Sequence, residues 1–279
     1  MKKLDIKMIG LDLDGTVFND DKVITEHTKE VLAKAIRQGV VVLPATGRPE
    51  SGLPQQFLEI PGVRYAVTSN GARVIDLKTA KTVVEEMISW DVALQVIRYA
   101  RTWENTAWEV YFDGKAYVEE GEYHFIDHPD IKPVFKQYIL DTRKAQRHLL
   151  ETIEKEKIGL EKIRMSFPDT EYRNQCMKAF EEKFPYLDIS YATTFDMDIV
   201  SKNIGKGVAL LKLGKILGIE QDQIMACGDA KNDWNMLDMA GFAVAMGNAD
   251  EETKKRATYV TLTNEEDGVA YAVEKFVLT

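Results

Sequence analysis

Two cysteines in 279 residues, Cys176 and Cys227, stand far apart with no second thiol at metal-ligand spacing. That excludes a disulfide scaffold and fits a reducing compartment. The histidines lack metal-ligand spacing as well, which removes a zinc reading. No run of roughly 18 apolar residues occurs, and no apolar h-region of the signal-peptide kind follows Lys2 and Lys3. Neither a membrane span nor a signal peptide is expected, and the chain reads as cytoplasmic. Excess positive charge is missing too. A formal net charge of −9 argues against nucleic acid or an anionic membrane as partner, because both are held through clustered Lys and Arg. An anionic small-molecule substrate would need positive charge gathered locally. What is present is 45% hydrophobic content, enough for a sizeable core, in a length that favours two domains over one.

The outer thirds of the chain alternate strand and helix signals. "LDIKMIGLDL" is strand-like and ends at Gly15. Thr25 then caps "EHTKEVLAKAIRQ", whose Val31, Leu32, Ala35 and Ile36 recur at helical spacing up to Gly39. "VVVLPATG" and "YAVTSNG" are further apolar runs. After the middle third the rhythm resumes, with "NIGKGVALLKLGKILGI" as helix, "QIMACGD" as strand, "NDWNMLDMAG" as short helix and "FAVAMGNA" as strand. A charged helix, the strand "TYVTLT" and a last amphipathic helix, "GVAYAVEKFVL", follow. Near-continuous apolar strands alternating with helices predict an α/β fold, a parallel sheet covered by helices.

The middle, residues 83–195, differs in texture. "AWEVYFDGKAYVEE" alternates along two runs joined at Asp113 and Gly114, a hairpin signal because such a turn needs positive φ. "KIRMSF" and "YLDISYATT" are strand candidates around the helix "DTEYRNQCMKAFEEKF", and "HPDIKP" reads as a loop. An inserted α+β module with its own antiparallel sheet is expected there.

Four signals sit at strand ends. Asp12 and Asp14 are two apart on an extended segment, so both project to one side at its carboxyl end, where ligands bind in open α/β sheets. A carboxylate taken from water without a partner costs several kcal/mol. Something positive should therefore wait for these two. In "PATGRP", Thr46 and Gly47 offer a hydroxyl and an unobstructed N–H suited to a phosphate oxygen. Lys206, flanked by glycines at a helix start, adds a charge where the dipole already favours an anion. In "CGDAKND", Asp229 ends a strand and Asp233 begins a helix. Like charges gathered on one face demand a cation, and hard oxygen ligands suit Mg²⁺.

Taken together, "DLDGT", "ATGR", Lys206 within "GKG" and "GDAKND" resemble the four motifs of the haloacid dehalogenase superfamily. "SNGA", "AVAMGNA" and "YVTLTNEEDGVA" extend the likeness across both outer thirds. The large module lies between "SNGA" and the lysine motif, an arrangement that resembles the Cof-type sugar-phosphate phosphatases, whose cap is inserted after the second motif. The resemblance implies a Rossmann-like core over residues 1–82 and 196–279, with an α+β cap over 83–195 that closes over the cleft and selects the leaving group.

It also implies a chemistry. Asp12 would attack phosphorus and form an aspartyl-phosphate. Asp14 would act as general acid toward the leaving alkoxide, then as base toward water. Mg²⁺ would be held by Asp12, the Asp14 carbonyl and Asp229, with Asp233 behind them or orienting Lys206. Thr46, Gly47, Lys206, Asn232 and the Leu13 N–H would hold the phosphoryl oxygens. Several positions depart from the family pattern: Ala230 and Lys231, Trp234, Asn203 where Gly is frequent, and Asp198 where Glu is often seen. Arg48 and Asn70 are substrate-binding candidates at the cleft mouth, and Glu109, Tyr111, His124 and Arg164 are candidates in the cap. A Mg²⁺-dependent phosphatase of small phosphate esters, sugar phosphates first, is the expectation. A phosphomutase would need a second phosphate site, and no Arg/Lys cluster in the middle third marks one. A dehalogenase would have little use for Asp14. A phosphosugar-binding regulator without catalysis would not need the intact acid pair, lysine and metal motif.

Overall fold

The computed structural model of the chain describes residues 4–121, 131, 133–202 and 204–278. His124, Asn203 and most of "HPDIKP" lie outside the described residues. The chain begins β1 (Met8–Leu11), α1 (Glu26–Arg37), β2 (Val41–Pro44), α2 (Gln55–Leu58), β3 (Tyr65–Thr68), β4 (Arg73–Asp76) and β5 (Lys81–Glu85). It continues α3 (Trp90–Ala100), β6 (Ala107–Phe112), β7 (Lys115–Glu119), α4 (Pro133–Thr142), β8 (Arg143–Gln146), α5 (Leu149–Glu156) and β9 (Lys162–Ser166). Then come α6 (Thr170–Lys183), β10 (Leu187–Ser190), β11 (Asp196–Ser201), α7 (Lys206–Leu217) and β12 (Ile224–Gly228). The last elements are α8 (Trp234–Met239), β13 (Phe242–Ala245), α9 (Glu251–Lys254), β14 (Tyr259–Val260) and α10 (Gly268–Val273).

These elements form two compact units. One holds the described residues up to Gly47, Leu53–Glu85, and those from Gly205 onward; the other holds Arg48–Gly52 and Glu86–Ile204. The expected core boundaries at 82 and 196 move. Residue 82 lies inside β5, which pairs with β4, so the first unit runs on to Glu85. Residues 196–204 leave the core because β11 pairs antiparallel with both β9 and β10.

In the first unit the parallel sheet has the order β14-β13-β12-β1-β2. Strands β1, β2, β12 and β13 are largely buried on both faces, which is why they read as continuous apolar runs, whereas the edge strand β14 is not. Ile9 and Leu11 of β1 pack with Val31 and Leu32 of α1 and Val269 and Val273 of α10. Met8 packs on the other side with Ala209, Leu210 and Leu213 of α7. Thr25 caps α1, its hydroxyl accepting from the Thr28 N–H at 3.0 Å, a contact worth about 1 kcal/mol. The run "YAVT" continues the parallel arrangement only through the bridge between Ala45 and Val67, and β3 goes on to pair antiparallel with β4.

In the second unit the sheet order is β10-β11-β9-β6-β7-β8, antiparallel except for the parallel pair β7 and β8. The hairpin turns at Asp113 (φ 49°) and Gly114 (φ 67°), as the Asp-Gly signal predicts. Period-two alternation divides its faces. Trp108, Val110, Ile163, Met165, Met197 and Ile199 join one apolar core with Leu94 and Ile97 of α3, Ile153 of α5 and Phe180 of α6. Glu109, Tyr111, Lys162, Arg164, Asp196 and Asp198 take the alternate positions. Pro133, expected within a loop, is the first residue of α4, where its missing N–H costs no helical hydrogen bond.

Candidate active site

Register places the site before any side chain is considered. Leu11 of β1 is paired with Cys227 on one side and Pro44 on the other, and Gly228 of β12 with Ala245. Asp12 follows directly, its N–H donating to the Cys227 carbonyl at 3.0 Å. Asp229 follows Gly228, and Thr46 follows Ala45, whose N–H donates to the Leu11 carbonyl at 2.7 Å. Three adjacent strands therefore release Asp12, Asp229 and Thr46 side by side at the carboxyl edge of the sheet.

Lys206 opens α7 and is fully buried, with Nζ 2.6 Å from Asp12 Oδ1 and 2.6 Å from Asp233 Oδ1. The other Asp233 oxygen accepts the N–H groups of Asp229, at 2.9 Å, and Ala230, at 3.1 Å. Thr16 donates its hydroxyl to Asp229 Oδ1 at 2.9 Å. Ligand oxygens of Asp12, Asp229 and Asp233 all lie within 4.8 Å of one another. Gly15 makes this convergence possible: its φ is +87°, and a Cβ there would run into the Asp229 carboxylate.

The electrostatics follow from the packing. Burial and then the Asp233 charge push Asp12 up to about 7. Burial, Asp12 and Asp233 together hold Asp229 well above the ordinary carboxylate range. Burial alone would lower Lys206, but the carboxylates of Asp12 and Asp233 raise it above its ordinary value. Three carboxylates thus face one ammonium, an arrangement of hard oxygens short of positive charge. That donor set fits a divalent cation such as Mg²⁺.

Asp14 stands at the edge of this cluster, with its Oδ1 2.9 Å from Lys22 Nζ and its side chain about a third exposed at 34%. Lys22 was not singled out from sequence. It stands eight residues beyond Asp14, at φ 61°, and only the turn brings it back. Thr16 and Asn248 were likewise missed; the Asn248 side-chain amide donates to the Gly15 carbonyl at 2.8 Å. Leu13 is fully buried by its side chain, so only its backbone faces the chemistry. Thr46 is buried, Gly47 and Asn232 are half-buried. Asn70, at φ 57°, is also buried, and its N–H donates to the Thr46 carbonyl at 3.0 Å.

The other substrate candidates lie in the second unit. The Arg48 guanidinium lies 4.3 Å from the centre of the Tyr138 ring. Tyr111 donates its hydroxyl to Glu109 Oε1 at 2.5 Å and accepts from Arg143 at 2.9 Å. Arg143 also donates to both Glu109 oxygens at 2.8 Å. Arg164 pairs with Asp196, and Lys162 donates to Asp198 Oδ2 at 3.2 Å. Asp198, unexplained in the sequence, is thus the counterion of a buried lysine. Cys227 is fully buried in β12, where burial pushes its thiol up to about 12, so it packs and does not react.

The sequence model of the haloacid dehalogenase-like hydrolases matches residues 9–273. The Streptococcus pyogenes protein M6_Spy0533 is 31% identical over 280 residues, covering 99% of this chain and 100% of that protein. The 5-amino-6-(5-phospho-D-ribitylamino)uracil phosphatase YcsE of Bacillus subtilis is 28% identical, covering 99% of this chain and 97% of its own length. A solved haloacid dehalogenase-like hydrolase from Bacillus subtilis matches with a TM-score of 0.85 at 27% identity, over 98% of this chain and 100% of that one.

Proposed function

The chain belongs to the haloacid dehalogenase-like hydrolases, as a phosphatase of the Cof type, and from that membership we propose a Mg²⁺-dependent hydrolysis of small phosphate monoesters through an aspartyl-phosphate. The observation that carries this reading is the meeting of Asp12 and Asp233 on the Lys206 ammonium, with Asp229 oxygens within 4.8 Å of both carboxylates and Asp14 two residues beyond Asp12.

Asp12 is the nucleophile. Lys206 fixes its Oδ1, so the carboxylate meets the substrate in one orientation. Its attack forms a bond from carboxylate oxygen to phosphorus while the ester P–O bond breaks, and Asp14 gives its proton to the departing alkoxide. Water then attacks phosphorus, Asp14 takes the proton back, and the acyl-phosphate bond breaks to return Asp12 and release inorganic phosphate. Thr46, the Gly47 and Leu13 N–H groups, Asn232 and Lys206 hold the phosphoryl oxygens as charge develops. Asp233, its oxygens already engaged by Lys206 and two backbone N–H groups, orients rather than ligates. Asp12, Asp229 and the Asp14 carbonyl would hold the cation, which supplies the positive charge that keeps Asp12 ionised and polarises the phosphoryl group.

For the substrate we favour phosphates carried on polyhydroxylated carbon chains, sugar phosphates first. The name of the Bacillus subtilis relative supports this class, since its substrate bears phosphate on a ribityl chain. The experiment is a screen of phosphorylated metabolites in Mg²⁺ with phosphate release as readout, run beside Asp12→Asn. Release by the wild type and none by the variant is expected; a variant that keeps most of the activity removes Asp12 as nucleophile.

A further inference from the structure

The glycines on either side of Lys206 have no role in the mechanism above, and neither has the residue packed against both of them, Asn235. Gly205 is the N-cap of α7 and carries no side chain to bind the first free N–H groups. Those groups are bound from elsewhere. Asn235, in the first turn of α8, accepts the N–H groups of Gly207 at 2.9 Å and Val208 at 3.3 Å on its Oδ1. These are the second and third residues of the helix, the two that an N-cap side chain ordinarily serves. The approach is so close that a Cβ on Gly205 would run into Asn235 Oδ1, and a Cβ on Gly207 into the Asn235 carbonyl.

We propose that Asn235 is a positioning residue for Lys206, capping the lysine helix from α8 so that backbone and ammonium are held by one rigid turn. Two residues earlier on that turn, Asp233 grips the Lys206 ammonium at 2.6 Å. The same short segment thus holds the Lys206 ammonium and the two backbone N–H groups that follow Lys206. A lysine held only at its tip would keep its charge near Asp12 but lose its direction, and small misplacements of a charge-stabilising group are expensive in rate. The inference rests on the phosphatase reading for its kinetic test and on geometry alone for its binding test.

The experiment compares Asn235→Ala and Asn235→Asp with the wild type, using p-nitrophenyl phosphate in Mg²⁺ well below each protein's melting temperature. The alanine variant should lose about tenfold in kcat, and the aspartate variant, which keeps the acceptor oxygen, should recover most of the loss. A merely structural role would not divide the effect this way. Gly205→Ala, which displaces Asn235, should also lower kcat, and the double variant Gly205→Ala with Asn235→Ala should be no worse than Asn235→Ala alone. An unchanged kcat in the alanine variant, an equal loss in alanine and aspartate variants, or strictly additive losses would overturn the proposal. Inorganic phosphate binding by calorimetry separates it from the proposed function. If the wild type binds phosphate but hydrolyses no ester, the function falls, and a phosphate affinity at least about fivefold weaker in Asn235→Ala still upholds the positioning claim. Equal affinity overturns it, and no phosphate binding by the wild type overturns both.

Discussion

The Lys206 ammonium lies 2.6 Å from Asp12 Oδ1 although 194 residues separate the two in the chain. Both are buried, Lys206 completely and Asp12 to 5% exposure, so Asp12 relies on the ammonium that it shares with Asp233. Removing one partner of such a pair leaves the remaining charge stranded in a low dielectric. Lys206→Met should therefore lower kcat on an aryl phosphate by roughly 100-fold to 1000-fold, the scale of losing one preorganised donor. Lys206→Arg should not restore it, because a planar guanidinium has no room between two carboxylates that already meet a compact ammonium at 2.6 Å each. Arginine kinetics near the wild type would contradict the tight fit.

The acid cluster also predicts how stability depends on pH. Burial raises Asp12 to about 7 in the folded chain, against 3.8 when exposed, and raises Asp229 in the same direction. The folded state therefore binds more protons than the unfolded state between those values. The stability tied to these carboxylates is full below the unfolded value and is lost as pH rises through the folded one. In the presence of a chelator the melting temperature should fall between about pH 4 and about pH 7. Added Mg²⁺ should flatten that fall, since a cation that binds the ionised, folded site stabilises it by mass action. Asp12→Asn should shrink the slope. A chelated protein equally stable across this range would show that the cluster is not under the strain described.

Glu109 and Arg143 provide the test in the second unit. Burial alone would raise Glu109, but the Arg143 charge outweighs it and holds the carboxyl at about 2. Glu109→Ala leaves a buried guanidinium without its carboxylate and should cost about 3 kcal/mol or more. Urea unfolding followed by tryptophan fluorescence reads it, since Trp90, Trp103 and Trp108 all lie in this unit. The pair Glu109→Leu with Arg143→Met should lose less than Glu109→Ala, because no charge is then left unpaired. A double variant weaker than the single one would show that packing, not charge, dominates there.

The sequence by itself carried the outer architecture, because β1, β2, β12 and β13 are buried on both faces and their apolar runs are unmistakable. Helix α1 was legible through Thr25 and its spacing, and the hairpin through Asp113 and Gly114. Helices α3, α4 and α5 and the strand β8 were not assigned. Strand β8, "RKAQ", is short and polar, with only Arg143 buried, so no alternation announces it.

At the site, the sequence pattern identified Asp12, Thr46 and Asp229 at the ends of apolar strands and Lys206 at the start of a helix, since strand ends and helix starts are marked by local residue patterns. It did not identify Lys22, Thr16 or Asn235. Each is polar and unremarkable in its own segment; Lys22 acquires its partner when its own loop turns back, and Thr16 and Asn235 acquire theirs only when distant loops and helices close on one another. A charge can be read from a sequence because it is a property of the residue. Which opposite charge or which bare N–H group it meets is a property of the packed chain, and only the tertiary structure decides it.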